Sequence, residues 1–356
     1  MGARARIAAA LVAGTLLAAC TPASPVSIPV SSSASTPVAS AARESAPVEA
    51  TGFVTGLTIP WAVGAMRFDR DGSIEYHTGD WPPFPVEAIR LWDSRTAWLN
   101  LEPANDLWDF RRLDRFIAKS RAQGTDDITL VLAGTPRWAA GRVDDADAAW
   151  LGPGSASMPK QLAEWREFVS TVATKYRGFI TAYEIGNEPN LKTFWSGTPQ
   201  DYAAYVQTAA AAIRAADPAA TIVAGGPLVR DASDLPVIRR WLAPVMTTGT
   251  DIDAVAVHVY PPARDLVKVA TLLDDVTAEV DAISGGLPIW VTELNVSDGS
   301  MLTSSKQQQA VTTLTSRLED AGVGRAYWYA WTDLGPESLI QLWPGTPGAR
   351  ALVARQ

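Results

Sequence analysis

Cysteine and histidine are almost absent: the 356 residues hold one Cys, Cys20, and two His, His77 and His258. One Cys permits no intrachain disulfide, and so few thiols and imidazoles do not assemble a four-ligand zinc site. Positive charge is also short, with 30 Lys and Arg against 38 Asp and Glu and a net charge of −8. A nucleic-acid binder needs a basic face to displace counterions, so that class is excluded. What is abundant is apolar matter, 47% of residues, against 19% charged, which excludes a chain disordered throughout. Hydrolytic chemistry in such a chain must rest mainly on carboxylates. The surplus is tryptophan, 14 residues against 8 each of Tyr and Phe.

The first fifty residues differ from the rest. Arg4 and Arg6 precede an apolar run from Ile7 to Leu17, which is too short to span a bilayer and reads as a signal peptide. Its ending, Leu17-Ala18-Ala19-Cys20, resembles a bacterial lipobox. That resemblance implies cleavage after residue 19, lipidation of Cys20, and an exported protein anchored to the membrane and facing outside or the periplasm. An ordinary secretory peptide cut after Ala19 is the other reading. In residues 21–50, 22 of 30 positions are Ser, Ala, Pro or Thr. Such a stretch buries too little apolar surface to order itself and is expected to act as a tether. The expected division is therefore signal peptide 1–19, lipidated Cys and tether 20–51, and one folded domain 52–356.

From Gly52 onward, short apolar runs alternate with helical patterns. Strands are expected at 61–68, 88–93, 128–134, 180–186, 221–225, 252–260, 288–294 and 324–332. Helices are expected at 110–121, 159–176, 200–215 and 304–320, where apolar residues recur at helical spacing. Eight strand–helix units over about 300 residues predict a single closed (β/α)₈ TIM barrel. A doubly wound open sheet competes, but no Gly-x-Gly-x-x-Gly run follows the first strand. In Ala254-Val255-Ala256-Val257-His258-Val259-Tyr260 the valines share one face, and Ala, His and Tyr share the other. Helices cover the outer face of a barrel, so His258 and Tyr260 are expected inside, near the catalytic mouth.

Two glutamates close strands. The fourth strand ends in Gly186-Asn187-Glu188-Pro189-Asn190, where Pro189 keeps Glu188 out of helical geometry. The seventh ends in Thr292-Glu293-Leu294-Asn295. A carboxylate at a buried strand end is costly unless paired or used. Two of them facing each other across a barrel mouth suit glycoside hydrolysis, one protonated for the leaving oxygen and one ionised for the anomeric carbon. Glu184 lies on the same face as Glu188 but deeper, and is expected to be structural, paired with Arg90.

Asn187-Glu188-Pro189 after strand four and Thr292-Glu293 at strand seven resemble the pattern of clan A glycoside hydrolases, retaining enzymes on a (β/α)₈ barrel. The resemblance covers nearly all of residues 52–340. It implies Glu188 as acid/base, Glu293 as nucleophile, Asn187 on the sugar 2-hydroxyl, and Arg90 holding the nucleophile ionised. His258 and Tyr260 match the His-x-Tyr pair of strand six. Arg90-Leu91-Trp92-Asp93, Trp108-Asp109-Phe110 and Glu184 ahead of Asn187-Glu188-Pro189-Asn190 look most like family 39, with family 5 the second choice. Retention predicts carboxyl groups about 5–5.5 Å apart.

Aromatic faces stack on sugar C–H faces, so strand-end and loop tryptophans are candidate platforms. Trp331 matches the platform of the clan's inner subsite; Trp138 follows strand three, and Trp195 lies just past Glu188. Trp108, Trp165 and Trp241 are expected to be packing. His77 is expected to cap a surface hairpin rather than reach the mouth. No metal or cofactor is required by this reading, no obligate protein partner is evident, and the expected partners are a polysaccharide or oligosaccharide and, through the anchor, a membrane. A transglycosylase using the same glycosyl–enzyme intermediate and a non-catalytic sugar-binding lipoprotein are the alternatives.

Overall fold

A computed structural model describes residues 52–60, 65–68, 74–77, 81–143, 151–262, 266–299, 302–331, 339–340, 342 and 344–355. The expected signal peptide, Cys20 and the expected tether lie outside the described residues. Among the described residues, no helix is long and apolar enough to cross a membrane.

Eight parallel strands close a ring. They are β1 (Val54–Thr58), β4 (Ala88–Leu91), β5 (Asp127–Leu132), β6 (Ala182–Ile185), β7 (Thr221–Ala224), β9 (Ala254–Val259), β10 (Ile289–Leu294) and β11 (Arg325–Trp328), and β11 pairs back onto β1. A short β8 (Leu228–Val229) adds to β9 at the mouth. Among the described residues the α-helices are α1 (Trp98–Leu101), α2 (Arg111–Ala122), α3 (Leu162–Lys175), α4 (Pro199–Ala216), α5 (Leu235–Thr247), α6 (Leu266–Ser284), α7 (Ser304–Asp320) and α8 (Pro347–Arg355), with α2, α3, α4 and α7 within a few residues of expectation. The start of α4 shows why: Thr198 accepts from the Asp201 amide, the Asp201 carboxylate accepts from the Thr198 amide, and Pro199 opens the first turn.

The first strand departs from expectation. Of the run 61–68, residues 61–64 lie outside the described residues, and β2 (Ala65–Phe68) pairs antiparallel with β3 (Ile74–His77) in a separate two-stranded sheet, with His77 opposite Ala65. The ring instead begins at β1, which carries Gly56 at its centre. A Cβ there would fall 2.4 Å from the Tyr327 ring, so glycine at this position makes room for an aromatic filling the barrel.

Inward side chains stack in layers. At the floor, the Arg325 guanidinium lies 4.5 Å from the centre of the Trp290 ring and pairs with Asp127, while the Tyr327 hydroxyl meets Thr129 Oγ1 at 2.9 Å. The small residues Ala88, Ala182, Ala254 and Ala256 cluster with Trp290 and Tyr327 and leave space for those large rings beneath the charged residues described below. Much of the tryptophan surplus lies outside the ring. Trp165 of α3 stacks on Tyr205 of α4 at 4.1 Å, and Trp98 stacks on Phe168 at 5.2 Å. Such aromatic pairs contribute roughly 0.5–1.5 kcal/mol each beyond their area.

Candidate active site

At the C-terminal end of β6 the chain turns through Gly186, with φ +82°, against the Tyr202 ring, where a Cβ would lie 2.7 Å from a ring carbon. Glu188 then adopts φ +41°, a left-handed backbone that a non-glycine residue holds at a cost of about 1–3 kcal/mol. Pro189 had excluded the helical region; the left-handed one is enforced by tertiary bonds. Glu188 N donates to Gly226 O at 3.1 Å, and the Asn190 side chain bonds Leu228 N and O at 2.9 and 3.1 Å. These bonds hold the carboxylate over the barrel.

The second carboxylate arrives by a different device. Between Val291 and Glu293, β10 slips register against β9, so that Val291 pairs with Val257 and Glu293 already pairs with His258. This bulge lets two consecutive residues serve the interior. Thr292 Oγ1 donates to Glu184 Oε1 at 2.9 Å, and Glu293 reaches the mouth.

Arg90, fully buried, organises the floor of the site. Its Nε donates to Glu184 Oε2 at 2.6 Å and its Nη1 to Glu293 Oε1 at 2.6 Å. Its Nη2 serves Asn187 Oδ1 at 3.0 Å and Glu184 Oε1 at 3.1 Å. Burial works against the guanidinium charge, but Glu184 and Glu293 outweigh it and raise the pKa above its ordinary value. Burial likewise opposes the Glu184 charge, yet Arg90 and His258 hold that carboxyl down at about 2. The Tyr260 hydroxyl donates to Glu293 Oε2 at 2.6 Å; burial and the nearby Glu293 push its pKa well above the usual range, so it stays a donor. His258 Nδ1 lies 2.9 Å from Glu188 Oε1 and 3.6 Å from Glu293 Oε2. Burial lowers its proton affinity, but Glu293, Glu184 and Glu188 raise the pKa to about 9.

One oxygen of Glu188, one of Glu293 and a ring nitrogen of His258 all lie within 4.8 Å of one another. Arg90 already places its positive charge among these carboxylates, and Tyr260 takes the second oxygen of Glu293, so the cluster is built to handle protons rather than to cage a cation. Asn187 Nδ2 is buried without a partner, a spare donor at the rim.

Glu188, Glu293, Asn187, Arg90, His258 and Tyr260 thus converge, and Glu184 pairs with Arg90 as expected. The tryptophans do not. Trp195 is 6% exposed and packs on Tyr202 and Tyr205, because the turn after Glu188 folds it back over α4. Trp331 is 3% exposed, edge-on to Phe84 at 5.3 Å. Neither offers an open face. Trp138 is half-buried, tied by Nε1 to Glu102 O at 3.0 Å, and borders a surface groove with Pro103, Arg137 and Val143. The aromatic that does reach the site is Tyr329: its ring lies 6.2 Å from Tyr260 and its hydroxyl donates to Asp93 Oδ2 at 2.7 Å. Alternation from inward Tyr327 would have pointed to it.

A closed parallel barrel with Asn-Glu-Pro at its fourth strand and Thr-Glu at its seventh is the arrangement of the clan A glycoside hydrolases. The chain belongs to the cellulase family, glycosyl hydrolase family 5, whose family model matches residues 144–334. It is 30% identical over 119 residues to a β-xylosidase of Caldicellulosiruptor saccharolyticus, a match covering 30% of this chain and 23% of that protein's length. In fold it is similar to a family 39 β-xylosidase from Caulobacter crescentus, with TM-score 0.62, 20% identity, and coverage of 87% of this chain and 72% of that one. A glucosidase from Croceicoccus marinus gives TM-score 0.61 at 15% identity, covering 85% and 69%.

Proposed function

We propose that the protein is a retaining glycosidase acting on O-glycosidic bonds of a cell-envelope or extracellular polysaccharide. The observation that carries this reading is the closeness and unequal dressing of the two glutamates. Oxygens within 4.8 Å suit the retaining separation of about 5–5.5 Å and leave too little room for the inverting water, which needs roughly 6.5–9.5 Å. Both oxygens of Glu293 receive strong donors, from Arg90 and Tyr260. Glu188 meets His258, a group able to give or take a proton.

In the first step Glu293 attacks the anomeric carbon, the bond to the leaving oxygen breaks, and Glu188 passes its proton to that oxygen. In the second, Glu188 takes a proton from water, whose oxygen displaces Glu293 from the glycosyl ester. Each step uses only this chain's own groups. The relatives named for xylosidase and glucosidase activity make β-xylosides and glucosides the first substrates to try. The polysaccharide and the surface location rest on the lipobox-like Leu17–Cys20 run, because a tethered enzyme meets the glycan beside its membrane.

The test is a glycoside panel with the anomer of the first-formed product read by NMR. Retention is expected, together with a glycosyl mass adduct on Glu293 when a slow fluorosugar is used. Glu188→Gln should lower kcat by about 10²–10⁴-fold on substrates with poor leaving groups. An inverted first product overturns retention. Tight binding of glycans with no turnover across the panel overturns the enzyme reading in favour of a sugar-binding protein.

A further inference from the structure

Glu184 is fully buried and enters the mechanism above only as a partner for Arg90. The hydrogen bonding around it says more. Arg90 Nη2 has two hydrogens, and both have acceptors, Asn187 Oδ1 at 3.0 Å and Glu184 Oε1 at 3.1 Å. His258 Nε2 lies 3.4 Å from that same nitrogen, which has no hydrogen left to give it. The ring nitrogen must therefore carry its own hydrogen, and the acceptor it faces is Glu184 Oε1 at 3.5 Å. That contact is long for a hydrogen bond, but a full negative charge at this distance in a dry site acts strongly without ideal geometry. With Nε2 protonated, Nδ1 is the atom free to change state. It accepts from Glu188 when Glu188 carries the proton, and donates to Glu188 when the proton has moved onto the ring, at the same 2.9 Å contact.

We propose that Glu184 is a positioning residue that, through His258, sets how tightly the acid/base Glu188 holds its proton. The proposal rests on the glycosidase reading of Glu188 and Glu293 and assigns a task to a third carboxylate. Glu184, His258 and Glu188 form a carboxylate–imidazole–carboxylate line from the barrel interior to its mouth. The inner carboxylate fixes the tautomer, and the outer pair shares one mobile proton. The charged and titratable groups facing His258 are Glu184 and Glu188 from β6 and its turn, Arg90 from β4, Glu293 from β10, and Tyr260 just beyond its own strand. Arg90 is the fixed cation among three carboxylates, and the one mobile proton brings the cluster to a net charge of −1 whichever partner carries it. That proton belongs to the Glu188–His258 pair rather than to either residue alone. The raised His258 pKa, about 9, agrees with the geometry. Thr292 supports the line from behind by donating to Glu184 Oε1 at 2.9 Å.

With only two histidines in the chain, His77→Gln leaves His258 as the sole imidazole. Imidazole nitrogen NMR of that full-length variant, titrated with pH, reads both nitrogens without any substrate. Nε2 is expected to stay protonated through the neutral range. Adding Glu184→Gln, which keeps an acceptor but removes the charge, should lower the proton affinity of His258 about tenfold or more. The alkaline limb of the kcat/KM profile should move to lower pH with it, while Glu184→Asp, which restores the charge, should bring both back toward the parent. If Glu184→Gln does not fold, Thr292→Val gives the opposite sign: Glu184 loses a donor, becomes a stronger acceptor, and the His258 proton is held more tightly. An unprotonated Nε2 at neutral pH overturns the proposal, as does an unchanged titration in whichever of the two variants folds. A titration that moves while the kcat/KM limb stays still overturns the link to Glu188. Inactivity of the parent on every glycoside would overturn the glycosidase reading instead, with the NMR result standing apart from it.

Discussion

Neither oxygen of Glu293 lacks a donor: Arg90 and Tyr260 occupy one each, both at 2.6 Å. A hydrogen bond to a charged group is worth about 1.5–3 kcal/mol, so Tyr260→Phe is expected to lower kcat/KM roughly 10- to 100-fold with the circular dichroism unchanged. Steady-state kinetics on the preferred glycoside check this. The pH dependence of stability follows from two residues. The His258 pKa is raised from 6.5 to about 9, so its contribution is fully present below pH 6.5 and is lost as pH rises through about 9. The Glu184 pKa is lowered from 4.5 to about 2, so its contribution is present above pH 4.5 and is lost as pH falls through about 2. Scanning calorimetry should show Tm declining between pH 6.5 and 9, and His258→Gln should flatten that decline. At this scale the sequence was readable where chemistry restricts the choice. A buried Glu ahead of Pro189, and another closing an apolar strand, have few structural uses. Tryptophan has many, so sequence position alone does not separate the packed Trp195 and Trp331 from a sugar platform, and nothing but alternation with Tyr327 marks Tyr329.

Among the elements, the loops after β6 and β7 depend on each other. Gly226 O receives the Glu188 amide, and a Cβ on Gly226 would lie 2.4 Å from the Ala256 carbonyl of β9. Gly226→Ala should therefore push this loop off the sheet, costing about 1–3 kcal/mol of stability. It should also lower kcat, because the left-handed turn at Glu188 loses its anchor. Urea unfolding and kinetics on the same preparation test both, and an unchanged kcat would show that Glu188 is held by other means. Helices with periodic apolar faces were legible almost to the residue, as α7 shows. The first barrel strand was not: Val54-Thr55-Gly56-Leu57-Thr58 reads as weak because of Gly56, and the reason for that glycine, Tyr327, sits on the last strand. The apolar run from Trp61 reads as the better strand, yet its described part, β2, pairs with β3 outside the ring. A sequence window sees composition; it does not see which side chain from across the ring will need the space.

For the whole molecule, the described barrel begins at residue 52, and in the reading proposed above the lipobox-like Leu17–Cys20 run would hold it at a membrane. Cys20→Ser is expected to abolish incorporation of labelled fatty acid and to shift the protein from the membrane pellet to the soluble fraction, with activity per molecule retained. Membrane retention by the serine variant would favour another mode of attachment. The bulge in β10 bears on how such a site could be altered. On an unbroken strand, side chains alternate, so residues 292 and 294 would share one face and 291 and 293 the other. Here Thr292 and Glu293 both serve the interior only because the hydrogen-bond ladder skips a step between them. The position of the nucleophile is thus encoded in the phase of a ladder as much as in the identity of a residue. Deleting one residue at the skip would restore a regular strand and turn one of the two outward, and grafting Glu293 onto a regular barrel strand would reproduce its chemistry without its Thr292 support.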